Sequence, residues 1–281
     1  MRRLGHFATG VLGASVWVFA GVCTAQPADQ ESVRPAGLTL EDAQRSFYNA
    51  RYEEAAALSL AVRAEAQEPL AAYELSTSAL LFQIKAAIGN PRDREKAFKA
   101  CGPCPDLLAA FLDDTAHGQA LARARLQVDE TDETALFFLG KLNLNFVWLQ
   151  LGPLGRKTGW NEYWEARRSL DAVLKGNPAH VRARVARAWI DYIVDTRMPF
   201  GTSWLLGGGN KKKAFVVMRA AATAEADFFT EAEAEFALWD LHVREGKMAE
   251  AVVIARGLAT DFPDNPDLGT FLATHDPGDK R

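Results

Sequence analysis

The spacing of apolar residues along this chain is the feature that most constrains its fold. From Thr39 onward the sequence is rich in Ala, Leu, Glu and Arg, and its apolar residues recur at helical intervals. That spacing places them on one face of an α-helix. A sustained alternation of polar and β-branched residues, which would indicate strands, does not occur. Apolar residues make up 48% of the chain, enough for a large core. The sequence therefore predicts an all-α protein.

A repeated unit of small and apolar residues is present within this helical region. Its clearest copy lies near the C-terminus and comprises Gly246, Met248, Ala251, Ala255, Leu258 and Pro263. The same spacing recurs at Ala166, Leu170, Val173 and Pro178, and again at Ala214, Met218, Ala221 and Ala226. Weaker copies are marked by Leu139-Gly140 and by Ala50, Tyr52 and Ala55. Small residues let two helix axes approach closely, and proline cannot continue a helix.

This pattern resembles the tetratricopeptide repeat (TPR) family. The resemblance covers roughly residues 40–275 and is strongest in the last unit. It implies a TPR-like α-solenoid of stacked antiparallel helix pairs, with about four to six pairs in a right-handed stack and a concave groove. For function, the resemblance implies the binding of peptides or partner proteins.

Two successive units are longer than the family period of roughly 34 residues. Gly118, Ala166 and Ala214 follow one another at intervals of 48 residues. We place the additional residues between the first and second helix of each pair, in a first insert at 146–161 and a second insert at 194–210. Insertions in stacked repeats usually project as loops on one face, so we expect the two inserts to lie side by side.

The inserts are rich in aromatic and basic side chains, which are common at binding hot spots. The candidate binding residues are Trp148, Arg156, Lys157, Trp160, Arg197, Trp204, Asn210, Lys211 and Lys212. Asn210 is predicted to cap a helix that begins at Lys211, and lysines in the first turn would suit a small anionic group. The alternative is that the rings fill space between longer helices and that the lysines are simply solvated.

The segment Cys101-Gly102-Pro103-Cys104 matches four residues at the redox centre of thioredoxins. The match ends there, because helical-looking residues rather than a strand precede Cys101. In an oxidising compartment we expect a disulfide between Cys101 and Cys104 that pins the turn between two helices. Thiol–disulfide exchange and metal binding are the alternatives, although one such pair supplies only two zinc ligands.

The N-terminus has the order of an export signal. Arg2 and Arg3 precede an apolar stretch at 11–22, and small residues follow up to Ala25. Cys23 raises the possibility of a lipoprotein, but the bulky residue before it argues against lipidation. We therefore expect a periplasmic or secreted protein with no further membrane-spanning segment. The predicted organisation is a signal peptide at 1–25, a flexible segment at 26–38, the helical repeat domain at 39–275 and a flexible tail at 276–281.

Charge and motif content narrow the function. Loss of residues 1–25 removes two arginines and no acidic residue, so the net charge changes from −4 to −6. A mildly acidic protein is a poor binder of nucleic acid. The sequence has neither His-Glu-x-x-His nor Gly-x-Ser-x-Gly, so we expect no enzyme, no cofactor and no metal site.

The sequence favours a non-catalytic scaffold for a protein or peptide partner. A small-ligand-binding component of an envelope transport system is the alternative, and a thiol–disulfide redox protein is the second alternative.

Overall fold

The computed structural model describes residues 37–197, 203–276 and 278, and all regular elements in these ranges are helices. The α-helices are α1 Leu40–Tyr48, α2 Tyr52–Val62, α3 Pro69–Ile88, α4 Arg94–Ala100, α5 Cys104–Val128, α6 Glu133–Leu151, α7 Trp160–Gly176, α8 Val181–Arg197, α9 Lys211–Ala221, α10 Phe228–Arg244, α11 Met248–Asp261 and α12 Pro266–His275. The all-α prediction is confirmed. The predicted signal peptide, with Cys23, lies outside the described residues, as do most of the predicted flexible segments at 26–38 and 276–281.

Polar side chains begin many of these helices. Thr39 and Asp42 form a capping box at the start of α1, and Asp132 accepts a hydrogen bond from the backbone of Ala135 at the start of α6. Asn210 caps α9 by accepting from the backbone N–H of Lys213, which confirms the predicted cap. Such caps satisfy backbone donors that have no partner within the helix.

The helices pack as consecutive pairs. These pairs are α1 with α2, α3 with α5, α6 with α7, α8 with α9 and α10 with α11, while α12 packs on α11. The short helix α4 interrupts the second pair. The first helices of neighbouring pairs also meet, as α3 does with α6 and α8 with α10. The predicted stack of helix pairs is therefore confirmed. Among the described residues, no helix combines the length and the hydropathy needed to cross a bilayer.

Small residues lie where the paired helices approach most closely. Ala166, Ala214 and Ala251 are all fully or almost fully buried. A Cβ added to Gly140 on α6 would lie 2.9 Å from the side chain of Leu170 on α7, closer than real contacts allow. The small residues of the repeat pattern thus set the spacing between helices.

Each predicted insert consists of a helix extension followed by a connection. In the first insert α6 continues to Leu151, and the loop 152–159 leads to α7. In the second insert α8 continues to Arg197, and a short 3-10 turn at Ser203–Leu206 precedes α9. Both connections join the first helix of a pair to the second.

The first helix pair also contacts the last ones, so the stack closes into a ring. The centre of the aromatic ring of Tyr48 on α1 lies 5.3 Å from the centre of the Phe236 aromatic ring on α10. It lies 5.3 Å from that of Phe262, the residue after α11. The side chain of Asn265, which caps α12, donates to the carbonyl of Tyr48 at 2.7 Å. The resemblance predicts a concave groove, and Tyr48 on one side of the stack contacts α10 and the residue after α11 on the other.

Candidate functional site

The inner face of the ring carries four charged side chains, one from each of four successive first helices. They are Glu74 on α3, Lys141 on α6, Arg182 on α8 and Glu233 on α10, and we call them the inner charge cluster. Lys141 Nζ lies 2.6 Å from Glu233 and 3.5 Å from Glu74. Arg182 bonds to Glu74 at 3.0 Å and also to Glu233. Each cation therefore contacts both carboxylates.

Burial and the attraction between opposite charges both alter pKa values in and beside this cluster. Burial would raise the pKa of the Glu233 carboxyl, but Arg182 and Lys141 lower that pKa to about 2. Burial disfavours the charged Lys141, yet Glu233 and Glu74 raise the pKa of its ammonium. Burial raises the pKa of the Tyr48 phenol well above its ordinary value, and the nearby Glu233 contributes. Within the described residues, the two cations and two carboxylates at the centre of the ring thus compensate one another.

The inserts carry the exposed apolar side chains of the candidate site. Trp160 at the start of α7 is 49% exposed, Trp204 is 72% exposed and Leu205 is 52% exposed. We call these three residues the insert ridge. Trp148 is different, because it is half-buried and packs against the apolar cores around Leu170 and around Phe111. For Trp148 the space-filling interpretation describes the geometry, whereas the ridge residues project outward.

The second insert is anchored on its neighbour α7. The hydroxyl of Tyr163 donates to the carbonyl of Leu206 at 2.7 Å. The guanidinium of Arg167 donates to the carbonyls of Leu206 and Gly207 at 3.0 and 2.7 Å. Gly209 lies against α8, where a Cβ would be 2.6 Å from the carbonyl oxygen of Asp191. Gly209 therefore serves close packing against α8, and the hydrogen bonds from Tyr163 and Arg167 hold the turn that carries Trp204 and Leu205.

The start of α9 is occupied by carboxylates of the chain. The backbone N–H of Lys211 donates to Asp195 at 2.8 Å, and its ammonium lies 2.9 Å from Glu245. Lys212 is exposed and forms no ion pair within the described ranges. An external anion at this helix end would have to compete with Asp195. The prediction of anion binding here stays a prediction.

Two of the predicted basic residues border open clefts. Arg197 borders a cleft of about 310 Å³ together with Tyr192, Arg244 and Glu245. Arg156 borders a larger cleft of about 830 Å³ between α4 and the loop 152–159, which we call the α4 cleft. Lys157 follows Arg156 and is exposed. The basic and apolar side chains that line the α4 cleft are Arg92, Arg94, Phe98, Lys99, Leu154 and Arg156.

The cysteine pair adjoins the α4 cleft. Cys101 follows the last residue of α4 and Cys104 begins α5; the structure pairs them, with their Cα atoms 5.4 Å apart. Cys104 is fully buried, and both cysteines share an apolar cluster with Phe98 and Leu154. The pair therefore lies at the turn between two helices, where the sequence had placed it.

Sequence reasoning missed the inner charge cluster and the α4 part of the cleft. The first is made of ordinary charged residues on four separate helices, and no spacing marks them as neighbours. The α4 part of the cleft does have a signal in the sequence, because a basic run is present there. It comprises Arg92, Arg94, Lys96 and Lys99. That run lies in the least regular part of the repeat pattern.

Comparisons with known proteins add one similar structure. No family model matches the chain, and no curated protein matches it. A similar solved structure is that of a thermophilic TPR protein from Thermus thermophilus, at 14% identity. The similarity covers 84% of this chain and 96% of that one, with a TM-score of 0.44.

Proposed function

We propose that this chain is a non-catalytic scaffold of the tetratricopeptide type that binds a protein or peptide partner through its inserts. The observation that carries the proposal is the exposure of Trp160, Trp204 and Leu205 on neighbouring connections of one stack. Tryptophan is among the residues that most often dominate binding energy. The second insert lies on α7, the helix that Trp160 begins, because Tyr163 and Arg167 of α7 donate hydrogen bonds to Leu206, and neighbouring exposed apolar groups commonly mark interaction sites.

The insert ridge is held in position before any partner arrives. Tyr163 and Arg167 fix the turn below Trp204 by hydrogen bonds to its carbonyls, and Trp160 is part of α7 itself. A site that is already ordered loses less conformational entropy on binding, which favours affinity. This preorganisation supports a role in recognition over one in filling space.

Binding by the ridge is testable with paired variants. We expect Trp160→Ala combined with Trp204→Ala to weaken capture of a specific partner from an extract of the native host's envelope by about ten-fold or more. The matched control is Leu60→Ala with Val253→Ala, which truncates two apolar residues that are 63% and 68% exposed outside the inserts. Circular dichroism serves as the check that all variants fold. Equal capture by the two pairs, measured by quantitative mass spectrometry, would contradict the proposal.

We further propose that the protein works in the periplasm or outside the cell. Residues 1–25 have the order of an export signal, and paired cysteines persist in oxidising compartments. Sequencing of the protein isolated from its native host should give Gln26 as the first residue. A lipidated Cys23 at the N-terminus would indicate a lipoprotein instead, and an intact Met1 in a cytoplasmic fraction would refute export.

The two alternative functions receive no specific support from the geometry. A ligand pocket walled by Trp148, Trp160 and Trp204 would need the three rings to face one space, but Trp148 packs in the core while the other two are exposed. Redox-active cysteines are usually partly accessible; Cys101 is half-buried and Cys104 is fully buried, a geometry that a structural disulfide shares. An insulin-reduction assay with the purified protein tests the second alternative.

A further inference from the structure

We infer that the α4 cleft binds an acidic segment of a protein partner. This inference rests on the proposed function for the existence of a protein partner, and the loop side of the cleft, Leu154 to Arg156, belongs to the first insert. The cleft is formed by α4 and the loop 152–159. It is an open surface cleft of about 830 Å³.

The cleft has an excess of positive charge on a chain that is acidic overall. Arg92, Arg94, Lys99 and Arg156 face two acidic residues there, Asp93 and Glu95. Glu95 is already paired with Lys99 at 2.7 Å, and the Asp93 side chain caps α4. Arg92 and Arg156 make no ion pair within the described part of the chain. Two guanidinium groups are therefore available to carboxylates, which they can bind through two parallel hydrogen bonds.

The cleft also has an apolar part, which favours a peptide over a simple anion. Leu154 is almost fully buried and Phe98 is half-buried, and both border the cleft. An acidic segment with interspersed apolar residues would pair its carboxylates with the arginines and pack its apolar side chains on Phe98. Inorganic phosphate or a lipid headgroup would use only the charges.

The α4 wall of the cleft is fixed by two specific interactions. No residue of α4 is fully buried, so apolar packing alone holds this helix weakly. The guanidinium of Arg94 donates to the carbonyls of Leu151 and Gly152 at 2.9 and 2.6 Å. The pairing of Cys101 with Cys104 fixes the other end of α4. These interactions hold the basic side chains against the loop that carries Arg156.

The test uses the full protein and a fluorescein-labelled peptide that alternates glutamate with leucine. Fluorescence anisotropy should show saturable binding that weakens as salt is raised, and a lysine–leucine peptide of equal length should not bind. Exposed ion pairs contribute a factor of about two to five each. Arg92→Glu with Arg156→Glu replaces two attractions by repulsions, and we expect affinity for the acidic peptide to fall by about ten-fold or more.

The matched control is Lys175→Glu with Arg219→Glu. Both residues are exposed on other helices and form no ion pair in the described ranges. Each variant replaces two cations by two glutamates, so the control has the same net charge as the cleft variant. Retained affinity in the control locates the effect in the cleft, whereas equal losses in both variants would overturn the inference. Competition by inorganic phosphate at the same charge concentration, or equal binding to anionic phosphatidylglycerol vesicles, would also overturn it.

The two proposals fail separately. If the Trp160 and Trp204 variant loses its partner while the cleft variant binds the acidic peptide normally, only the cleft inference is wrong. If the cleft variant loses the peptide while the ridge variant captures partners normally, the ridge proposal is wrong and the cleft inference stands.

Discussion

Replacing Arg182 by methionine should remove a large share of the stability of this fold. Arg182 bonds to both carboxylates of the inner charge cluster, and its guanidinium lies 4.9 Å from the ring centre of Phe137. Methionine retains an apolar stem for the contact with Phe137 but no charge. Lys141 would then face two largely buried carboxylates alone. Removing one partner of a buried ion pair costs about 3–5 kcal/mol, so we expect the free energy of unfolding to fall by about 3 kcal/mol.

The assay is urea unfolding at neutral pH, followed by far-UV circular dichroism. The midpoint should fall while the denaturant slope stays constant, because the surface exposed on unfolding is unchanged. Arg182→Met combined with Glu233→Gln leaves Lys141 opposite Glu74, which lies 3.5 Å away, and restores the charge balance. The double variant should therefore be more stable than the sum of the single losses predicts, by about 1–3 kcal/mol. A loss below about 1 kcal/mol for Arg182→Met, or strict additivity, would refute this account of the cluster.

The same cluster predicts a dependence of stability on pH. The pKa of Glu233 is lowered in the folded protein from 4.5 to about 2. A lowered pKa means that its stabilising contribution is complete above the unfolded value and is lost as the pH falls from about 4.5 towards 2. For Glu233 this amounts to roughly 3 kcal/mol. Arg182→Met removes the main attraction, so the variant should lose less stability over this window than the unchanged protein, as acid titrations of urea midpoints would show.

Three further predictions concern helix packing, the cysteine pair and a cap. Gly140→Ala should cost about 1–3 kcal/mol, because the new methyl group would overlap Leu170, whereas Gly176→Ala, with no neighbour within 4 Å, should be neutral or stabilising in urea unfolding. Cys101→Ser should lower the free energy of unfolding by about 2 kcal/mol under oxidising conditions. In reductant the substitution should have no effect on that free energy. If the unsubstituted protein is equally stable with and without reductant, a disulfide is contradicted. Asn210→Ala should cost about 1 kcal/mol in thermal unfolding through loss of its cap, while Asn210→Asp, which keeps an acceptor, should not.

The paired helices could be predicted because their packing is encoded locally. Ala251, Ala255 and Leu258 on α11 recur at helical spacing, and all three are fully buried. Asn210 could likewise be identified as a cap from its neighbours in sequence alone. In each case the residues that decide the structure lie within one or two helical turns of each other.

The closure of the ring could not be predicted in this way. It depends on Tyr48 meeting Phe236 and Phe262, residues that lie near opposite ends of the described chain. The pattern of one repeat fixes how it packs on the next, but not the accumulated curvature that brings the first and last pairs together. The inner charge cluster was missed for the same reason, because its members become neighbours only through that curvature.

The α4 cleft was missed in part for a different reason. The region 70–128 shows the weakest repeat pattern, and the structure places the extra helix α4 there, between α3 and α5. One of its arginines, Arg156, was a candidate because it lies in an insert. Arg92 and Arg94 were not, because sequence order separates them from the loop that they face.

The contact between Tyr48 and the α10–α12 region changes how this stack of helix pairs is expected to unfold. In an open array each unit is stabilised only by its neighbours, so terminal units fray first and truncation from an end costs little more than the unit removed. Here the terminal units support each other, so deleting α1 would also expose the aromatic surface of Phe229, Phe236 and Phe262. The protein should unfold in one cooperative transition, and hydrogen exchange should show its first and last helices protected to similar degrees.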